Sequence, residues 1–187
     1  MNFSNPNQLQ KNIELKARLG SLQTARKQAE LIATDTAAPQ LQIDTYFNSP
    51  HGRLKLREIN GEQAQLIWYE RPQELQPKTS NYLIQEVVDV VGWKQLLDRA
   101  CGICATVRKH REIFFYENVR IHLDNVDSLG AFLEFEAVLS KEGDEQRGHS
   151  QLRLLTKHFQ ITSNDLLKSS YGEQILQQSV SSVDPTD

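Results

Sequence analysis

The chain has 187 residues, a hydrophobic fraction of 39% and a formal net charge of −3. That much apolar residue supports one packed domain, while the near-neutral charge excludes a uniformly basic nucleic-acid binder. No apolar run reaches the roughly 20 residues of a membrane span, and two cysteines cannot build a disulfide framework.

Residues 1–10 are polar and read as a loose N-terminal tail, followed by one domain over 11–177 and a small, polar C-terminal tail over 178–187. Asn12–Leu19 alternates and predicts a first strand. Leu22, Ala25, Ala29 and Ile32 recur at helical spacing and predict a helix over Leu22–Ala33. Residues 34–40, with Pro39, read as a connection. Leu41–Phe47 and Arg53–Ile59 are strands, joined by a turn at 48–52. Asn60-Gly61 marks a hairpin to a strand over Ala64–Glu70. Residues 72–80 read as a loop, Tyr82–Val91 as a strand and Trp93–Ala100 as a short helix ended by Gly102. Ala105–Tyr116 and Val119–Asp124 are strands around a Glu117-Asn118 turn, and Ala131–Leu139 is another. Helices are expected over Asp144–His158 and Asn164–Leu176.

The strands carry a charge pattern. Successive side chains on a strand point to opposite faces. Arg53, Lys55 and Arg57 therefore share one face, and Leu54 and Leu56 the other. The pattern recurs at Glu14/Lys16/Arg18, Lys109/Arg111 and Glu134/Glu136. Like charges in a row need something anionic among them, so the faces suit a metal-bound polyanion. An open sheet could expose such faces to water; their density favours a barrel with a charged lumen and helices on its apolar exterior. Cys101-Gly-Ile-Cys104 has too few companion ligands for zinc and reads as incidental. Trp68 and Trp93 read as core residues. Tyr46, Phe47, Phe114 and Phe115 read as packing on the barrel exterior.

Several segments together resemble the CYTH superfamily of triphosphate tunnel metalloenzymes, in its class IV adenylyl cyclase branch. They are Asn12-Ile-Glu14-Leu-Lys16, Gln42-Ile-Asp44-Thr-Tyr46-Phe47, Gly52-Arg-Leu-Lys-Leu-Arg57-Glu58, Leu66-Ile-Trp-Tyr-Glu70-Arg71-Pro72 and Pro77-Lys78-Thr-Ser80-Asn-Tyr82. Val107-Arg-Lys109-His-Arg111, Ile121-His-Leu-Asp124-Asn-Val, Leu129-Gly130-x-Phe132-x-Glu134-x-Glu136 and Ser170-Tyr171 complete the set. The resemblance implies an α+β fold: an eight-stranded antiparallel barrel, or tunnel, with helices outside. It implies that Lys16, Arg53, Lys55, Arg57, Lys109 and Arg111 contact phosphate oxygens, and that Glu14, Glu134, Glu136 and Asp124 supply oxygens to Mg²⁺ or Mn²⁺. Glu14, Lys16 and Glu134 are the catalytic candidates. Arg18, Arg71 and Arg120 stand evenly between phosphate contacts and solvent-facing cations. His122 shares a face with Asp124 and reads first as a structural histidine.

Asn12 stands where that signature carries its first glutamate, which leaves one metal or two open; Glu136 is a candidate to compensate. The implied substrate is a small triphosphate: ATP, thiamine triphosphate or tripolyphosphate. The branch resemblance favours cyclisation of ATP to cyclic AMP and pyrophosphate, with triphosphate hydrolysis and non-catalytic binding as alternatives. Neither a nucleic acid nor a membrane is expected as partner, a homodimer is a possible assembly, and a reducing cytoplasm is the expected compartment.

Overall fold

A computed structural model describes residues 9–140 and 144–181. The expected tails at 1–8 and 182–187 lie outside the described residues. Eight antiparallel strands close into a barrel: β1 (Gln10–Arg18), β2 (Asp35–Phe47), β3 (Arg53–Ile59), β4 (Gln63–Glu70), β5 (Lys78–Glu86), β6 (Ile103–Tyr116), β7 (Val119–Val126) and β8 (Gly130–Leu139). The order around the wall is β5-β4-β3-β2-β6-β7-β8-β1, and β1 pairs back to β5 from Gln10↔Tyr82 to Glu14↔Lys78. A two-residue strand, β9 (Leu166–Leu167), pairs with Lys16 and Ala17 farther along β1. The expected fold class is therefore the observed one.

Strand alternation sorts the two faces. Ile13, Leu15, Ile121, Leu123, Leu133, Phe135 and Ala137 point outward into the main core. Two helices cover them: α1 (Leu22–Ile32) through Ala25 and Ala29, and α3 (Asp144–His158) through Leu152 and Leu155. Ser21 caps α1, its hydroxyl accepting from the Thr24 amide at 3.2 Å. A third helix, α2 (Val90–Cys101), is capped by Asp89 and stopped at Gly102, and it overlies Phe47, Leu56, Ala64 and Val87. The last helix, α4 (Tyr171–Ser181), closes one end of the tunnel, where Tyr171 packs with Tyr46, Val107 and Phe132. It can sit that close because residue 172 is glycine; a Cβ there would lie 3.0 Å from the Tyr46 ring. No helix among the described residues is long and apolar enough to cross a membrane.

Several boundaries differ from the sequence reading. The stretch read as a connection belongs to β2, whose pairing with β6 breaks register between Ala37 and Gln40, so Pro39 sits at a bulge. The loop over 72–80 ends early, because Lys78 and Ser80 already pair with β1. Val87–Val91 is not strand. Asp89 turns the chain into α2 and leaves Val88 99% exposed. The helix expected over Asn164–Leu176 is instead a Thr162–Asp165 turn, then β9, then α4. The α4 start is a capping box: Ser170 Oγ accepts from the Glu173 amide and the Glu173 carboxylate accepts from the Ser170 amide. That helix runs on to Ser181, four residues into the stretch read as a tail. Trp93 is 41% exposed rather than core. Trp68 is half-buried, its indole N–H donating to the His51 carbonyl at 3.0 Å. Cys101 and Cys104 are free thiols in separate apolar clusters.

Helix α3 lies tightly on the barrel at Gly148, where a Cβ would meet Ile13 Cδ1 at 2.9 Å and Ala137 Cβ at 3.3 Å. Gly148→Leu is expected to lower stability by about 1–3 kcal/mol through overpacking. Urea denaturation followed by circular dichroism measures this, and an unchanged midpoint would contradict the close α3 contact.

Candidate functional site

The inward faces enclose a cavity of about 260 Å³. Strand β1 contributes Asn12, Glu14 and Lys16; β3 contributes Lys55 and Arg57; β6 contributes Lys109 and Arg111; β8 contributes Glu134 and Glu136. Arg71, just past β4, and Arg120 on β7 also line it, with Tyr46, Tyr69 and Tyr171 toward the α4 end.

Asp44 on β2 organises one wall. It is fully buried and faces Arg57 across the β2–β3 ladder. Its Oδ1 accepts from Arg57 Nε at 2.7 Å; its Oδ2 accepts from Arg57 Nη2 at 2.8 Å, Lys55 Nζ at 3.0 Å and Lys109 Nζ at 3.4 Å. Burial alone would raise the Asp44 carboxyl, but Arg57, Lys109 and Lys55 outweigh it and hold the group well below the usual carboxylate range. One carboxylate cannot satisfy three cations. Burial and the neighbouring Arg57 lower the Lys55 ammonium to about 8, and burial with Arg111 pushes Lys109 well down.

Asp124 on β7 does the same for Arg111, its cross-strand neighbour. It accepts from Arg111 Nε at 2.7 Å and Nη2 at 2.6 Å, and from the Tyr171 hydroxyl at 2.8 Å. Arg111 Nη2 also donates to Glu134 Oε2 at 2.9 Å, and Lys16 Nζ lies 2.8 Å from Glu134 Oε1. Lys16 sits 3.8 Å above the centre of the Tyr171 ring, a cation–π contact that orients the ammonium. Glu14 pairs with Arg71 at 3.0 Å. Burial, with Glu134 and Glu136 adding to it, still holds the Glu14 carboxyl above its ordinary value.

Eight of the predicted site residues thus share one cavity: Glu14, Lys16, Lys55, Arg57, Lys109, Arg111, Glu134 and Glu136. Two stand apart. Arg53 lies at the α4 end, where its Nη2 donates to Glu173 Oε1 at 2.8 Å. Asp124 is absent from the cavity lining; its carboxylate accepts from Arg111 and Tyr171 and holds the Arg111 guanidinium in place. Tyr46 faces the lumen and not the exterior. Arg18 donates to the Leu129 carbonyl at 3.1 Å, away from the cavity. The sequence reading gave no role to Asp44 or Tyr171, and treated His122 first as structural. Alternation places Asp44 on the face of Tyr46, but its three partners emerge only from the register of β2 with β3 and β6.

His122, Glu134 and Glu136 form a compact group whose donor atoms lie within 4.8 Å of one another. Asn12 Oδ1 and His122 Nδ1 are buried without a hydrogen-bond partner. Burial and Arg111 lower the His122 pKa, which favours the neutral imidazole a metal requires. The donor atoms of His122, Glu134 and Glu136 are close enough together to coordinate one divalent cation.

Two outcomes follow. Asp44→Asn leaves Lys55, Arg57 and Lys109 buried together without their counter-charge, and is expected to cost about 3–5 kcal/mol in urea denaturation; a loss near zero would contradict the role of Asp44. Burial lowers two cavity-lining ammonium groups in the free protein, Lys55 to about 8 and Lys109 well down. A polyanion favours their charged forms, so binding takes up protons above pH 8 and its affinity falls as pH rises further. Calorimetry of tripolyphosphate binding at pH 8.5, in two buffers of different ionisation enthalpy, should show buffer-dependent heat; identical heats would contradict this.

The family model for the CYTH domain matches residues 10–171. A Methanocaldococcus jannaschii protein provisionally named an adenylate cyclase is 22% identical over 170 residues, covering 86% of this chain and 96% of that one. A solved structure from Pyrococcus horikoshii superimposes with a TM-score of 0.77 at 25% identity, over 87% of this chain and 98% of that one. A Hippeastrum protein, described as a provisional adenylyl cyclase revealing a dominant triphosphatase activity, aligns with a TM-score of 0.60 at 16% identity, over 90% and 96% of the two chains. With a family match across nearly the whole barrel and a lumen built of opposed charges, the chain belongs to the CYTH domain family.

Proposed function

We propose that the tunnel binds a linear triphosphate and that the chain hydrolyses one of its phosphoanhydride bonds with the help of a divalent cation. The observation that carries this reading is the charge balance in one cavity. Lys16, Lys55, Arg57, Arg71, Lys109, Arg111 and Arg120 line it. Glu14, Glu134 and Glu136 face the same space, and Asp44 and Asp124 stand behind the cations. Counted formally, seven basic groups against five carboxylates leave a positive surplus, which Lys55 and Lys109 carry in full only when an anion holds them protonated. That surplus and one divalent ion together match the roughly four negative charges of a triphosphate.

In this reading the guanidinium forks of Arg57 and Arg111, fixed by Asp44 and Asp124, orient two phosphoryl groups. The ammonium groups of Lys16, Lys55 and Lys109 act as point charges on oxygens that gain charge as the bond breaks. Glu14, Glu134 and Glu136 would hold the divalent ion, which supplies charge neutralisation and polarisation of a phosphoryl oxygen. The dominant triphosphatase activity described for the Hippeastrum protein supports hydrolysis.

A second reading is cyclisation of a nucleoside triphosphate, in which the ribose hydroxyl is the nucleophile. It is favoured by an apolar part of the cavity wall, where Ile67 and Ile84 pair across β4 and β5 beside Tyr82, and where an organic group could lie. The names of the adenylate cyclase relatives point the same way.

Incubating the purified protein with tripolyphosphate, thiamine triphosphate or ATP, each with Mg²⁺ or Mn²⁺, separates the readings. Orthophosphate release is the expected outcome, and Arg57→Ala should weaken substrate binding by about 1–3 kcal/mol. Cyclic AMP with pyrophosphate from ATP would replace hydrolysis by cyclisation. Tight binding without turnover would make this a binding protein, and neither binding nor turnover would refute the reading altogether.

A further inference from the structure

His122 is the one nitrogen donor in the candidate metal group among the described residues. It is 3% exposed and stands opposite Glu134 in the β7–β8 ladder. Its Nδ1 lies 3.7 Å from Glu134 Oε2 and 3.8 Å from Glu136 Oε1, and has no hydrogen-bond partner. Those separations are too long for hydrogen bonds. They do match the spacing of two donors around one ion, since bonds of about 2.1 Å put neighbouring donors roughly 3–4 Å apart. A buried ring nitrogen left without a partner beside two carboxylates is unfavourable until a cation lies between them. Asn12 on β1 turns a neutral amide oxygen, without a hydrogen-bond partner among the described residues, toward the cavity that Glu134 and Glu136 also line.

We infer that His122 is a direct ligand of the divalent cation, and that this tunnel therefore selects a first-row transition ion such as Mn²⁺ over Mg²⁺. Magnesium takes oxygen donors and holds its water, whereas the first-row divalent transition ions accept an imidazole nitrogen, Mn²⁺ the least strongly of them. Two carboxylates and one imidazole carry fewer charges than an all-carboxylate site. Such a group gains affinity from nitrogen where it lacks charge. The inference rests on the reading of the tunnel as a divalent-cation site, and narrows it to a ligand and a metal class.

Pulsed electron paramagnetic resonance of Mn²⁺ added to the purified protein, with and without tripolyphosphate, tests it directly. Directly bound imidazole nitrogen modulates the echo, and protein labelled with ¹⁵N-histidine shifts that modulation. The expected result is a histidine nitrogen signal in the wild type that is lost in His122→Gln. In calorimetry the same variant should lower the Mn²⁺-to-Mg²⁺ affinity ratio on the order of tenfold. Should His122→Gln not fold, His122→Asn serves in its place, and the ¹⁵N-labelled wild type still decides whether any histidine is bound. Manganese bound without histidine nitrogen, or an unchanged ratio in the variant, would overturn the inference and leave the tunnel reading intact. No manganese binding under either condition would overturn both.

Discussion

The lumen depends on one buried ion cluster, in which the Asp44 carboxylate accepts from Arg57, Lys55 and Lys109. Burying four charged groups costs a large desolvation free energy, so such a cluster is a poor device for stability alone. It is a good device for keeping cations extended into a cavity. A single carboxylate fixes the geometry of three cations while neutralising only one charge. Asp124 repeats the arrangement on the neighbouring β6–β7 pair with Arg111, and Tyr171 from α4 completes its hydrogen bonds. The remaining positive charge is a standing demand for an anion.

Barrel closure follows from the same requirement. Strands β1, β3, β6 and β8 each have an apolar and a charged face, and an open sheet would leave the charged faces to be screened by water. Closing β5 onto β1 brings Lys78 beside Glu14 and turns the charged faces toward one another. The outer faces then need cover, which α1 and α3 supply through Ala25, Ala29, Leu152 and Leu155. Helix α4 has a different task. It seals one end with Tyr171 against Phe132 at 4.9 Å between ring centroids, and its Glu173 occupies Arg53.

Period-two alternation made most of this legible in the sequence. It placed Arg53, Lys55 and Arg57 on one face, predicted the charged lumen, and located most of the cavity's cations and carboxylates. It failed where the answer lies between strands. The role of Asp44 requires the register that sets it opposite Arg57, and that register is a property of the pairing. Arg53 has the right parity but lies at the strand end under α4, and the bonds of Asp124 to Arg111 and Tyr171 likewise depend on register and on α4. Tyr46 shares the parity of Asp44 and lies inside, whereas aromatic character alone points to packing on the exterior. The Ser170-x-x-Glu173 capping box was a usable signal for the start of α4. Its being passed over merged a turn, a strand and a helix into one helix.

The central claim is spatial: linked phosphoryl groups and a divalent ion lie inside the barrel, between the cations held by Asp44 and Asp124 and the carboxylates of β1 and β8. Diffraction from crystals grown with Mn²⁺ and a non-hydrolysable tripolyphosphate analogue, with anomalous data at the manganese edge, measures this most directly. The account predicts a manganese peak beside Glu134 and Glu136, and phosphate density in contact with Arg57, Lys109 and Arg111. Manganese and phosphate found on the outer surface, with the lumen holding neither, would contradict it.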